Sequence, residues 1–575
     1  MKPSITSSVV FVVFSLMSSQ ASYLRAQTRF SGGADSLEWL EKRRFELFSL
    51  SPHLTKELRS KSVGPVQELK STPEDGRQPV DITGGDANPD GVSTRLKSIR
   101  TGDETVFEPM VAVSPADDYN FVTVYSGIQA NVYRSKASYS TNGGVSWMAS
   151  DIPTSWMLYN TQGDGSIAFD ADGKVYHCYI DFNLSGFLVR QNAIVVGQSQ
   201  DKGVTWTNQL TVVNETNFNT TTNHDKPWIT CDQSNGSYRN SVYVSWTRFT
   251  NSVSNSQIVC SYKRSNGQNF SSPPIVVSAQ IGFPDVVQGS FPVVGSDGIV
   301  YIFWLKYNST TTSASLWMNK SVDGGVTFNS VPTELTALGA VTRVGTASTP
   351  VLGGLFQKAN SIPAAAIRKV GSPNEICLAW CDYRNGKPEI LFSKTVNGGI
   401  SWTSVARVYQ GAGVLEQFLP AMSTNAQGDI YISYLDRLSS TNNNIGLNVA
   451  ESHDGGVFFN VSTDGRSFLG VADISHPPDP PNYLFTGDYM GIASNGYTYW
   501  AVFPAVVGDH ITIEYNNDIF GSYRSVWAWI RNNLPLDPAT FVAYDGIVHY
   551  SPYQTDWEVA GKISTIGARQ YGPSF

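Results

Sequence analysis

The sequence predicts an all-β fold assembled from repeated four-stranded antiparallel units, and three observations carry that prediction. The first is an eight-residue phrase that recurs six times, starting at residues 140, 199, 263, 321, 395 and 452. Spacings of 57–74 residues between copies mark a repeat architecture. The second is a pair of short strand-like runs, joined by a turn, ahead of each copy. The third is composition: of 575 residues, 41% are hydrophobic, 12% aromatic and only 15% charged, with 50 glycines. That balance suits a turn-rich sheet protein rather than a helical or disordered chain.

Each phrase reads as a tight connection between two strands. Residues 199–206, 321–328 and 452–459 carry Asp at the third position (Asp201, Asp323, Asp454), whereas 140–147 and 395–402 carry Asn142 and Asn397. Residues 263–270 keep only Gly267 and the final aromatic. Asp and Asn side chains accept bonds from nearby backbone N–H groups and so close turns. The fifth-position glycine suits a positive φ. The eighth-position aromatic is a hydrophobic anchor.

The strands follow in order. A short first strand is read at 110–113, 166–169, 228–231, 292–294, 350–352, 420–423 and 490–493. A turn comes next, often a Gly beside Asp or Asn, as at Asp172-Gly173 and Asp297-Gly298. A strongly β second strand is read at 121–125, 175–180, 242–246, 300–304, 376–380, 430–434 and 497–503. Third and fourth strands flank the phrase. Four antiparallel strands per repeat make one blade of a β-propeller. Seven first strands predict seven blades. Six is the alternative, because the last unit, 488–515, has three strands and no phrase.

Outside the repeats, residues 1–21 read as a secretory signal, with Lys2, an apolar run over 9–17 and the small-x-small residues Ser19-Gln20-Ala21. The expected mature protein is secreted and extracellular. Residues 22–103 read as a short helix (36–48) and a polar linker, 104–524 as the propeller, and 525–575 as an extension or closure. No later run is long and apolar enough to serve as a transmembrane anchor. The net charge of −8 without a basic block argues against nucleic acid as a partner. The five cysteines lie in apolar strand-like runs and read as buried small hydrophobes. No metal-ligand spacing or phosphate loop occurs, so neither a metal nor a cofactor is expected.

Blade topology turns this pattern into a surface. Residues before first strands and after second strands crowd one mouth of the central channel. Before first strands stand Glu108, Asp164, Asp225 with Lys226, Gln288, Glu416 with Gln417, and Asp488 with Tyr489. After second strands stand Asp181, Arg248, Lys306, Asp382 with Arg384, and Asp436 with Arg437. Converging carboxylates supply an acid and a base when burial and like charge push their pKa values apart. Arg and Lys hold anionic groups of a substrate.

The phrase S-x-D-x-G-x-x-W/F resembles the Asp-box, or BNR repeat, of the sialidase-like (neuraminidase superfamily) β-propellers, in which it lies between third and fourth strands. The phrases Phe107-Glu108-Pro109-Met110, Asp225-Lys226-Pro227-Trp228, Asp382-Tyr383-Arg384-Asn385-Gly386 and Gly487-Asp488-Tyr489-Met490 resemble secreted members mostly of unassigned activity. True sialidases carry an Arg-Ile-Pro phrase in the first blade that begins a three-arginine clamp. Here Glu108-Pro109 stands at that entry and no Arg-Ile-Pro occurs. The resemblance also implies a Tyr nucleophile backed by Glu, with an Asp acid/base.

Two readings of function follow. In one, the protein is a glycoside hydrolase-like enzyme on an extracellular glycan or glycoprotein, not a classical sialidase. Its catalytic candidates are Asp225, Glu416, Asp488 and, as nucleophile, Tyr489. Its substrate-binding candidates are Glu108, Lys226, Arg248, Lys306, Asp382, Arg384 and Arg437. A polysaccharide lyase using His224 is a variant of it. In the other, the propeller is a non-catalytic recognition or adhesion module.

Overall fold

Strand pairing follows the predicted repeat closely. In the computed structural model, the described residues are 96–99, 105–129, 132–144, 146–153, 156–185, 188–218, 221–343, 359–370, 375–409, 416–437, 445–461, 487–496, 499–507 and 510–517. The expected signal, the helix at 36–48, the first strand at 350–352 and the segment 525–575 lie outside them. The first blade shows the plan: Thr105–Ser114 and Asp117–Gln129 pair antiparallel, Val132–Ser140 joins next, and the short Met148–Ala149 lies outermost. The inner strands of the next five blades are Thr161–Phe169, Asn223–Cys231, Asp285–Val294, Ala364–Arg368 and Gln417–Thr424.

The described strands form a propeller of six hydrogen-bonded sheets, which corrects the seven separate blades expected in favour of six. The expected seventh unit is present as Gly491–Ser494, Tyr499–Val507 and His510–Asn517, but it has no sheet of its own. Thr105 of the first blade pairs in parallel with Ile511, and this bridge merges the unit into an eight-stranded sheet. Its missing fourth strand is supplied from the other end of the sequence: Leu96–Ile99 pairs antiparallel with 513–516. Seven inner strands therefore neighbour one another in a closed circuit. The fifth blade's inner strand is Ala364–Arg368, well beyond the 350–352 read from the sequence.

Burial explains why the second strands are the most hydrophobic. Their fifth residues, Tyr125, Tyr179, Trp246, Trp304, Trp380 and Tyr434, are among the largest fully buried side chains. All but Tyr179, whose small cluster lies within the second blade, sit in apolar clusters shared between neighbouring units. All five cysteines are buried and free, as small core residues.

The octapeptides lie between third and fourth strands, and five of the six share one chemistry. In residues 199–206, Ser199 Oγ accepts from Gly203 N at 3.0 Å and donates to Asp201 Oδ1 at 2.7 Å, while Thr205 N donates to Asp201 Oδ1 at 2.9 Å. The copies at 140, 321, 395 and 452 repeat this set. The fifth-position glycines serve a second purpose. With φ near +85°, each presses its bare Cα on the preceding blade: Gly203 on Val122, Gly325 on Tyr243, Gly399 on Met318 and Gly456 on Phe392. Gly144 does the same to Trp500 of the closing unit. The divergent copy docks differently, through Arg264, which donates to Gly324 O at 2.6 Å and lies over the rings of Tyr238 and Tyr262.

Candidate functional site

A repeated backbone irregularity builds the site. Five inner strands carry a β-bulge at the same height, between Phe107 and Met110, Gly163 and Ser166, Asp225 and Trp228, Gln288 and Phe291, and Phe418 and Ala421. The bulged residues Glu108, Asp164, Lys226, Gly289 and Leu419 have φ of 54°, 51°, 49°, 70° and 52°. Bulges re-aim side chains, and a left-handed non-glycine residue costs about 1–3 kcal/mol unless its surroundings impose it. Three successive blades accept that cost to place Glu108, Asp164 and Lys226. The fourth and sixth blades place Gly289 and Leu419 at the same level, so the axial region is charged on one side and apolar on the other.

The charged side gathers residues from opposite sides of the ring. Lys226 Nζ meets Asp488 Oδ2 at 2.7 Å, and both side chains are buried. Glu108 Oε1 accepts from Asp488 N at 3.2 Å, and Asn360 Nδ2 donates to Asp488 O at 2.6 Å. Asp225 Oδ2 accepts from Gln288 Nε2, whose Oε1 accepts from Tyr307 Oη at 2.9 Å. Two carboxylate oxygens, Asp164 Oδ2 and Asp225 Oδ1, are buried without a hydrogen-bond partner, as is Tyr489 Oη.

Four carboxylates face one ammonium, and the electrostatics follow. Burial pushes the Asp164 carboxyl well above its usual range; Lys226 opposes this, while Glu108, Asp225 and Asp488 add to it. Burial thus favours the neutral form of the Asp164 carboxyl. Burial works against the Lys226 ammonium, but Asp488, Asp164, Asp225 and Glu108 outweigh it and keep the amine charged. Burial and the same carboxylates push the Tyr489 phenol well up, so it stays protonated and needs a base to become a nucleophile.

Beside this cluster lies a cavity of about 60 Å³. Its walls are the aromatic faces of Trp228, Phe291 and Tyr489, the apolar Ile362 and Leu419, and the Lys226–Asp488 pair.

Of the catalytic candidates, Asp225, Asp488 and Tyr489 come together here, joined by Glu108 and Lys226 from the binding candidates. Glu416 stands outside: its carboxylate pairs with Arg437 Nη1 at 2.9 Å. Arg248 donates to Gln257 Oε1 at 2.5 Å, and Lys306 lies 3.5 Å from Asp285. Asp382 is a staple: it accepts from Arg384 Nη2 at 2.6 Å, Trp380 Nε1 at 3.0 Å and Thr342 N at 3.1 Å. Arg248, Arg384 and Arg437 are each engaged locally and form no common clamp among these contacts. His224 accepts from Trp246 Nε1 at Nδ1, faces Glu215 at 3.5 Å and is held below its usual pKa by burial. Sequence reasoning placed Asp164 at this mouth without choosing it. It missed Asn360, and it gave no role to Gln288 or to Tyr307. Asp164's signal was its phase, three residues into its strand like Glu108 in its own.

No family model matches the chain, and no curated protein matches it. Solved structures do. The chain is similar to the Hadza microbial sialidase Hz136 at 12% identity, covering 70% of this chain and 74% of that one, with a TM-score of 0.40. It is similar to the Trypanosoma rangeli sialidase at 10% identity, covering 78% and 61%, with a TM-score of 0.40. It is also similar to the α-L-arabinofuranosidase Arb93A of Fusarium graminearum at 12% identity, covering 62% and 92%, with a TM-score of 0.37. No activity is carried over from likenesses this distant.

Proposed function

We propose that the protein is a secreted Asp-box propeller of the sialidase-like kind that hydrolyses an extracellular glycan, and that it is not a classical sialidase. One observation carries this reading: Glu108, Asp164, Asp225 and Asp488 form a buried carboxylate set at the axis, in which burial favours the neutral form of Asp164, the kind of pairing that glycoside hydrolysis uses. Asp164 serves as the acid. Asp225, with one oxygen bound by Gln288 and the other unpartnered, serves as the base or nucleophile. Tyr489, which retains its proton, lines the site. Glu108 at the axis opposes an anionic sugar.

A second reading, a non-catalytic recognition propeller, draws on the largely apolar and aromatic lining of the cavity and on the Lys226–Asp488 pair in it. One experiment separates the two. The protein is incubated with neutral, amine-bearing, sulfated, uronic and sialylated glycans, and products are read by mass spectrometry. A released sugar that Asp164→Asn and Asp225→Asn each reduce by about 10²–10⁴-fold supports hydrolysis. No product from any glycan, with the protein folded, leaves the recognition module.

A further inference from the structure

We propose, independently of any glycan chemistry, that the octapeptide face of the fourth, fifth and sixth blades is a docking surface for this chain's own residues 518–575.

That face is apolar where the fold does not ask for it. Val322 and Val326 of the fourth blade, Val396 and Ile400 of the fifth, and Val457 and Phe458 of the sixth are all exposed, Ile400 and Val457 by 82%. The turn tolerates polar residues at the same places. The second blade exposes Gln200 at the second position of the phrase, and the third blade exposes Gln268 at the sixth. Val204, at the sixth position in the second blade, packs against the core instead. The exposed apolar residues are therefore gathered on three successive blades. Single exposed apolar residues are ordinary, but a gathering on one face marks an interaction surface.

Phe458 stands there at the expense of its own turn. At the same position Thr205 and Thr327 donate Oγ1 to the turn carboxylate at 2.6 Å. Ser146 and Ser401 accept from the turn Asn at 2.8 and 2.7 Å. Phe458 has no hydroxyl to offer, and Asp454 is left with the backbone N–H groups of Val457 and Phe458. The residue is 69% exposed. A phenyl group placed in water where a hydroxyl closes the turn serves a contact, not the turn.

The occupant follows from where the chain leaves the propeller. In each blade the first residue of the octapeptide ends the third strand, as Ser199, Ser321, Thr395 and Ser452 do. In the closing unit the third strand ends at Asn517, so residues 518–575, which lie beyond the described residues, start where an octapeptide would stand. Asn517 pairs with Trp500, and Gly144 of the first blade's octapeptide lies against the Trp500 ring, which puts the exit on the octapeptide face. The sixth blade is the neighbour: Ser494 Oγ of the closing unit lies 2.8 Å from its Ser423 Oγ. Phe520, Trp527, Trp529 and Ile530 come within the first thirteen residues of the segment. Thirteen extended residues span up to about 45 Å, whereas three stacked sheets take up roughly 30 Å. The segment thus brings large apolar side chains, within reach, to the blades that expose theirs.

The test uses the full chain carrying Phe458→p-benzoylphenylalanine, irradiated and mapped by mass spectrometry. A cross-link to residues 518–575 of the same chain is expected. In a second full-length variant, Val457→Asp with Phe458→Asp, trypsin should cut after Arg524 and Arg531 about tenfold faster, because cleavage follows the population of the open form. Both positions are exposed, so circular dichroism should show the propeller of this variant intact. Cross-links only to other parts of the propeller, no cross-link, or unchanged cleavage at Arg524 and Arg531 would each overturn the proposal. So would cross-links only between two chains with a dimer in sedimentation, which would make a second copy the occupant. Flotation of the parent protein with phosphatidylcholine vesicles, lost in the double variant, would overturn it in favour of a lipid surface.

Discussion

Lys226 of the third blade and Asp488 of the closing unit are 262 residues apart in sequence, and they form a buried ion pair at 2.7 Å beside the propeller axis. The pair ties the closing unit to the far side of the ring. Asp488 is also held through its backbone, by Glu108 of the first blade and by Asn360 just ahead of the fifth blade's inner strand. One residue thus joins three blades besides its own unit.

Removing half of this pair leaves a buried charge without its partner. Lys226→Met is expected to destabilise the protein by about 3–5 kcal/mol. Adding Asp488→Asn should recover part of the loss, since the stranded carboxylate is then gone. Urea denaturation of the two variants and the parent checks both statements. Equal loss in the single and double variants would contradict the pair's role.

Asp164 makes stability fall as pH rises. Its folded-state pKa lies above the ordinary 3.8, so between that value and its raised value the folded protein binds more protons than the unfolded chain. The contribution is complete below 3.8 and is lost as pH climbs through the folded value. Asp164→Asn mimics the protonated group and should flatten this slope, by up to about 1.4 kcal/mol per pH unit. Denaturation midpoints at a series of pH values measure it.

His177 works in the opposite direction. Burial lowers its pKa from 6.5 to about 3, and its Nε2 lies 2.8 Å from Ser135 Oγ. The folded state keeps the ring neutral while the unfolded chain protonates it. Stability is therefore whole above 6.5 and falls as pH drops toward 3, by up to about 1.4 kcal/mol per unit for one proton. His177→Gln should reduce that acid slope while His224, shifted the same way, keeps its share. An unchanged slope between pH 6.5 and 4.5 would count against a neutral His177.

The repeat was legible because it is local. The turn of residues 199–206 is closed by its own Ser199, Asp201 and Thr205, so its chemistry is written within eight residues. The second strands announced themselves through the aromatics that fill the core. Closure was not legible, because it joins Leu96–Ile99 to 513–516 across the whole chain, and no local pattern marks that pairing. The site was half legible. Its residues stand at predicted strand starts, but a bulge decides which ones turn to the axis, and Glu416 lacks the placement that Asp164 has. The bulge leaves only faint traces in sequence, such as Glu108-Pro109, Lys226-Pro227 and Leu419-Pro420, where a proline follows the left-handed residue.

The octapeptide glycines separate two costs that usually occur together. Gly456 has φ +85°, and a Cβ there would collide with the Phe392 ring. Gly386 has the same φ of +85°, but nothing lies within 4 Å of its Cβ position. Gly386→Ala therefore meets only the left-handed penalty, about 1–2 kcal/mol. Gly456→Ala meets that penalty plus the overpacking of two blades, about 1–3 kcal/mol more. A second change, Phe392→Leu, should relieve the second cost in the Gly456→Ala background and do nothing for Gly386→Ala. Thermal and urea unfolding of the four variants reads the difference directly. If Gly386→Ala proved as damaging as Gly456→Ala, backbone strain alone would explain the glycine, and the contact between successive blades would not be the reason the position lacks a side chain.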